Sequence, residues 1–181
     1  MTNTLQLKGT SILVADASKH IQNVVKGILR QFGCADPVAV SDGSAALSAY
    51  RERLFDAVIC ESLLPELSGF DFVRAVRRLD DPVTAFNPII LLTSHTQKEN
   101  IFTARDAGTT AVLAKPISPK LLFERLMWVS NDGRSFVRTP NYIGPDRRFH
   151  DVPVPAEQER RSDWLRAVED KERTTAANHG D

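Results

Sequence analysis

The chain has little of several things, and each shortage removes a class of function. It has 2 cysteines among 181 residues, Cys34 and Cys60. They are far apart, with no metal-type spacing, so a disulfide scaffold and a thiolate metal centre are both excluded and the thiols are read as reduced. No apolar run approaches the roughly 18 residues a membrane helix needs, and no cleavable signal is visible, which makes a cytoplasmic protein the expectation. Charge of one sign is also missing: 23 basic residues face 23 acidic ones. Without a global field, neither nucleic acid nor a membrane surface is an expected partner, and any electrostatic recognition must be local. There is no internal repeat. No Ser-His-acid pattern is anchored on a nucleophile elbow, so a hydrolase is not expected, and the chain is read as a non-enzyme.

What is present is a set of short apolar runs separated by helical patterns. Hydrophobic residues make up 42% of the chain, enough for a core. Ser11–Ala15, Pro37–Val40, Ala57–Cys60, Pro88–Thr93 and Ala111–Ala114 read as strands. Most lack the polar alternation of a half-exposed strand, the habit of parallel sheets covered on both faces. Between them lie helical patterns. Ile21, Val24, Val25, Ile28, Leu29 and Phe32 recur at helical spacing behind a Ser18 cap and stop at Gly33. A second helix carries Ala45, Ala46, Ala49 and Tyr50, and a third Phe72, Val73 and Val76, with Arg74, Arg77 and Arg78 assigned to its outer face. Residues 80–87 read as a loop. A polar helix, capped by Thr96, runs from Gln97 to Ala107 and ends at Gly108; Ser118-Pro119 opens a last one bearing Leu121, Leu122, Leu126 and Trp128.

Five βα units with short connections predict an α/β fold, a doubly wound parallel sheet with helices on both faces. In such sheets ligands gather outside the carboxyl ends of the strands. Asp16, Glu61, Thr93 and Lys115 all fall at such ends and should share one crevice. Cys60 should point into the core, Ser62, Ser94 and His95 should lie near the crevice mouth, and His20 and His150 should be surface groups.

An acid after the first strand, an acid followed four residues later by Pro65 after the third, Thr93 after the fourth and Lys115-Pro116 after the fifth is a constellation that resembles response-regulator receiver domains, from about Thr10 to Val129. The resemblance implies a flavodoxin-like sheet of strand order 2-1-3-4-5. It also implies a two-component (phosphorelay) signalling role. In the family the residue at position 61 is an Asp that attacks a phosphoryl donor, two first-strand acids help hold Mg²⁺, and the Thr and Lys contact the phosphoryl oxygens. Here Thr93, Lys115 and Asp16 match. Glu61 stands at the phosphoacceptor position, Ala17 replaces the second acid, and Val112 occupies the place of the aromatic switch residue.

These departures have chemical consequences. Mg²⁺ demands near-octahedral oxygen geometry, and Ala17 supplies no oxygen, so metal binding is expected to be weak or absent. Glu61 is longer by one methylene, and positioned attack loses roughly a hundredfold for an error of about 1 Å. The expectation is an atypical stand-alone receiver acting by protein–protein interaction, with a histidine kinase or a downstream effector as partner. A direct Glu61–Lys115 ion pair could hold the site closed without metal. The residues leave two readings open, a weak mimic of the phosphorylated state and an inert scaffold. A phosphorylation-competent receiver is the alternative within the family.

The sequence divides into a leader (1–9), the receiver (10–130), a turn-rich extension (131–155) and a charged helix with a C-terminus of disordered composition (156–181). In the extension Arg134, Arg138, Arg147 and Arg148 are interleaved with Phe136, Tyr142 and Phe149, a pattern that could stack on bases and fork onto phosphates. Docking against the receiver is the first reading of the stretch, a protein partner the second and nucleotide capture the third. A nucleotide second-messenger module is therefore the competing functional class. The thin Trp164, Leu165, Val168 stripe of the last helix leaves a second copy of the chain open as a partner.

Overall fold

The expected strands form in a computed structural model that describes residues 7–95 and 97–147. In chain order the elements are β1 (Ile12–Ala15), α1 (Lys19–Gln31), β2 (Val38–Val40), α2 (Gly43–Glu52), β3 (Ala57–Glu61), α3 (Gly69–Arg77), α4 (Pro82–Ala85), β4 (Ile89–Thr93), α5 (Lys98–Ala107), β5 (Ala111–Ala114), α6 (Pro119–Ser130), β6 (Phe136–Thr139) and β7 (Tyr142–Pro145). The first five strands make one parallel sheet of order β2-β1-β3-β4-β5, the flavodoxin-like arrangement. The last two pair as an antiparallel hairpin.

Period-two alternation splits each strand between two cores. Ile12 and Val14, Ala57 and Ile59, Ile90 and Leu92, and Ala111 and Leu113 face α1 and α6, where Val25, Ile28, Leu29, Leu122 and Leu126 meet them. Leu13 and Ala15, Val58 and Cys60, and Ile89 and Leu91 face α2, α3 and α5, against Ala46, Tyr50, Phe72, Val73, Val76 and Ala104. Side chains buried this completely each contribute roughly 1.5–3 kcal/mol, so both layers are needed. Cys60 is fully buried, and burial pushes its thiol far up, out of reach of thiolate chemistry.

Local chemistry sets the helix starts. The Ser18 hydroxyl accepts from the Ile21 amide, Asp42 from Ala45, Ser68 from Asp71 and Ser118 from Leu121. Gly69 begins α3 because nothing larger fits: a Cβ there would lie 2.0 Å from the Glu61 carbonyl oxygen. That contact seats α3 directly behind the end of β3.

Three expectations need correction. Residues 80–87 are not simply a loop, because Asp81 accepts from the Val83 and Thr84 amides and Pro82 opens the short helix α4. Arg77 is not on the outer face of α3 but 1% exposed. Its Nε donates to Gly108 O at 2.8 Å, its Nη1 to Ala85 O and Asn87 O at 2.7 and 2.8 Å, and its Nη2 to Thr110 Oγ1 at 3.3 Å. A guanidinium with five fixed donors can tie together backbone segments that no ladder joins. Burial pulls its pKa down to about 10, so it is still charged at neutral pH. Finally, Gln97 stands at the N-cap of α5 without a side-chain capping bond, while Thr96, the expected cap, lies outside the described residues.

The extension is a folded hairpin packed on the domain. Phe136 stacks on Phe86 with centroids 4.6 Å apart, and the Arg77 guanidinium lies 5.1 Å from the same ring. Gly108 takes a left-handed φ of 94°, and a Cβ on it would lie 2.2 Å from Ile143 O. Contacts therefore cross the edge expected near Asn131, all of them at the amino ends of β4 and β5. The tail helix expected over 156–172, with Arg148, Phe149 and His150, lies outside the described residues.

Candidate functional site: a lysine between two carboxylates

At the opposite end of the sheet the strands deliver side chains by parity. Asp16 continues the Ile12, Val14 face of β1, Glu61 ends the Ala57, Ile59 face of β3, and Lys115 continues the Ala111, Leu113 face of β5. All three therefore meet on the α1/α6 side. The Lys115 Nζ lies 2.7 Å from Asp16 Oδ2 and also donates to Glu61 Oε2. Side-chain exposure is 15% for the lysine and 3% and 11% for the two acids, so the group is largely withdrawn from water. Burial alone would lower the lysine's pKa, but the hydrogen bonds and charges of Asp16 and Glu61 outweigh it and hold the ammonium above its ordinary value.

The remaining carboxylate oxygens are also engaged. Asp16 Oδ1 accepts from the Ser18 amide at 2.8 Å. Glu61 Oε1 accepts from the Ser62 amide at 2.8 Å and lies 2.9 Å from the Ser62 hydroxyl. Gln22, buried in the first turn of α1, donates to Asp16 O and Val40 O and fastens the carboxyl ends of β1 and β2 together. Ala17 is exposed and offers the crevice no oxygen.

Thr93 arrives on the other side. It continues the Ile89, Leu91 face of β4, as Ser62 continues the Val58, Cys60 face of β3. The two hydroxyls sit 3.0 Å apart, and the His95 amide donates to Thr93 Oγ1 at 2.9 Å. Val112 lines, with Ser62, Phe70, Leu91, Thr93, Asn100 and Ala104, a gap behind Thr93 too narrow for water. The structure thus brings Asp16, Glu61 and Lys115 into direct contact, and Thr93 joins them through Ser62. Sequence reading placed Ser62 only near the mouth. The signal was strand parity, which sets Ser62 beside Thr93 one step beyond the Glu61–Leu92 pair.

Several side chains of the extension make contacts within the chain. Arg134 donates to Thr110 O at 2.7 Å, pairs with Asp132 at 2.6 Å and lies 5.1 Å over Trp128. Arg138 reaches Leu79 O at 3.3 Å, Arg147 pairs with Asp106 at 2.7 Å while lying over the Tyr142 ring, and Tyr142 donates to Pro145 O at 2.7 Å. These contacts fasten the hairpin to the domain; Arg148 lies outside the described residues.

No helix among the described residues is long and apolar enough to cross a membrane. The model of the response regulator receiver domain matches residues 12–127. The chemotaxis protein CheY of Pseudomonas aeruginosa is 27% identical over 115 residues, covering 64% of this chain and 91% of that protein. Among solved structures, the chemotaxis response regulator CheY4 of Vibrio cholerae superposes with a TM-score of 0.62 at 32% identity, over 66% of this chain and 98% of that one. The receiver domain of the Pseudomonas aeruginosa sensor histidine kinase PA1611, with a magnesium ion coordinated in its cleft, gives 0.62 at 27% identity, over 68% and 99%. A five-stranded sheet of this order, ending in an acid, a hydroxyl and a lysine, together with a family match over most of the described residues, means that this chain belongs to the response-regulator receiver family of two-component signalling.

Proposed function

We propose that this receiver signals through protein–protein contact with its crevice held closed by an internal ion pair, without aspartyl phosphorylation. The observation that carries the reading is the double engagement of Lys115 by Asp16 and Glu61. An attacking carboxylate needs a free oxygen aimed at the phosphorus, and both oxygens of Glu61 are hydrogen-bonded. Freeing one means separating a pair that has little water to replace it, which is strongly unfavourable.

The same oxygens are what a divalent ion would require. Each oxygen of Asp16 and Glu61 already has a donor, Ala17 adds none, and no group of three or more His, Cys, Asp or Glu among the described residues could hold a metal. This donor set does not fit Mg²⁺, unlike the magnesium-bearing receiver of PA1611. The lysine is neutralised from inside.

A carboxylate carries one charge where a phosphoryl group carries about −1.5 to −2, so the closed state imitates the phosphorylated one only in part. The link from Glu61 to Thr93 favours this reading over an inert scaffold, because the hydroxyl is drawn towards the charge. The output surface is the face of α5, β5 and α6, and the partner is a histidine kinase or a downstream effector in the cytoplasm.

Incubation with a small phosphodonor and Mg²⁺, followed by intact-mass measurement, is expected to leave the wild-type mass unchanged. A stoichiometric base-labile adduct on Glu61 overturns the reading. The double variant Glu61→Asp/Ala17→Asp, which rebuilds the family's acids, is expected to gain the adduct. Glu61→Gln and Lys115→Ala should bind the partner differently from wild type; equal affinities would leave only the inert scaffold.

A further inference from the structure

The crevice has two sides, and the chemistry is divided between them. Asp16, Glu61 and Lys115 belong to the α1/α6 face of the sheet, Thr93 to the α2/α3/α5 face. A strand residue cannot present its side chain to both faces, so a charge on one side does not reach a hydroxyl on the other without a bridge. Ser62 is that bridge. It follows Glu61 in the chain and sits beside Thr93 in space, and it is 2% exposed.

The proton assignment is forced by the chemistry of the groups. The Ser62 hydroxyl has one proton and two neighbours, Glu61 Oε1 at 2.9 Å and Thr93 Oγ1 at 3.0 Å. A carboxylate accepts only, so the serine proton goes to Glu61. The serine oxygen is then an acceptor for the Thr93 hydroxyl, whose other acceptor, His95 O, is more distant at 3.3 Å. Thr93 Oγ1 in turn accepts from the His95 amide at 2.9 Å. The result is one directional chain, from the His95 amide to Thr93 and Ser62, ending on the Glu61 carboxylate, whose other oxygen accepts from Lys115. Each donor polarises the next, and the whole is anchored by a charge-assisted bond.

We infer that Ser62 is a positioning residue whose hydroxyl couples the Glu61–Lys115 pair to Thr93 and thereby fixes the loop that leads into α5. Val112 strengthens the case. It puts no aromatic ring on β5 beside Thr93, so the bonded chain is a connection the crevice offers to the output face. The inference rests on the closed-crevice reading for its biological meaning, but its physical content stands separately.

The test uses the full chain, ¹⁵N-labelled, with amide exchange at His95 as the readout. Ser62→Ala removes the bridge and leaves the charged groups in place. Thr93 then loses its fixed acceptor, and His95 exchange is expected to rise about tenfold, the loss of one ordinary hydrogen bond's worth of protection. Ser62→Thr keeps a hydroxyl and is expected to restore most of the protection. A purely structural role would lower protection throughout β3 and β4 in both variants. Unchanged His95 exchange in a folded Ser62→Ala overturns the inference, as does equal loss in the two variants. If Ser62→Ala does not fold, Thr93→Val cuts the same chain one bond later, and unchanged His95 exchange there would be equally fatal. The phosphodonor experiment separates the two claims: an adduct on Glu61 with His95 deprotected in Ser62→Ala keeps the coupling and removes the closed crevice, while no adduct and no deprotection does the reverse.

Discussion

Among the described residues, each end of the sheet withdraws a cation from water, Lys115 partly and Arg77 fully, and the two are neutralised in opposite ways. At the carboxyl ends Lys115 sits between two carboxylates, and its proton is held more tightly than in water. At the amino ends Arg77 has carbonyl oxygens and a hydroxyl as its hydrogen-bond acceptors, and burial loosens its proton. The first arrangement is an ion pair and can respond to a change of charge. The second is a set of dipoles gathered by a rigid fork, and it can only hold or break. The pairing belongs where a signal is received, the fork where loops and an added hairpin must be joined.

The comparison can be broken most severely at Arg77. Arg77→Met should cost roughly 3–5 kcal/mol in denaturant unfolding, because several buried carbonyls lose their donor together and Phe136 loses its cation. A loss below about 1 kcal/mol would mean that the arginine fills space and little else. Lys115→Met should cost less at neutral pH, roughly 2–4 kcal/mol, by leaving Asp16 and Glu61 facing each other. That deficit should shrink as pH rises through the lysine's raised pKa, whereas the Arg77→Met deficit, set by a guanidinium whose pKa burial lowers, should not follow the same course. Parallel pH profiles for the two variants would erase the distinction. Phe136→Ala should cost about 1–3 kcal/mol and loosen the hairpin without altering the crevice, readable as exchange at residues 136–145 with His95 unchanged.

The smallest effect is expected in alkali. The lysine's pKa in the folded chain lies above its ordinary 10.5, so the stability it brings is complete below that value and disappears as pH rises through the raised one. Burial pushes the Tyr50 phenol from 10.0 up to about 12, so the unfolded chain ionises first and stability also falls across that interval. Both groups act in one direction, joined by the buried Cys60 thiol and opposed by Arg77, whose lowered pKa favours the folded chain over the same interval. Lys115→Met should lose the lysine's part of this fall and keep the rest.

Most of the sheet was legible because buried parallel strands leave uninterrupted apolar runs, and Ser18 and Ser118 mark where helices begin. The crevice was legible as a set of positions at strand ends, and the Glu61–Lys115 contact followed from counting charges. Arg77 was misread because charge was allowed to outrank spacing: Phe70, Val73 and Arg77 recur at i, i+3 and i+7, the pattern of a buried face. Ser62 was underrated because a small polar residue beside a loop looks like solvent chemistry, and only its parity with Cys60 points inward. The hairpin's docking was open as a possibility, but its contacts could not be read. Phe136 and Ile143 are too few to declare a face, and their partners Phe86 and Gly108 are distant in the chain.

Gly69 has an implication for how this molecule can change. Because its missing side chain lets the first turn of α3 rest on the carbonyl of Glu61, the helix and the charged residue share a wall with no slack. Any enlargement at that one position would be felt simultaneously as a shifted helix and a misaimed carboxylate, so the shape of the domain and the state of its receiving end cannot drift apart.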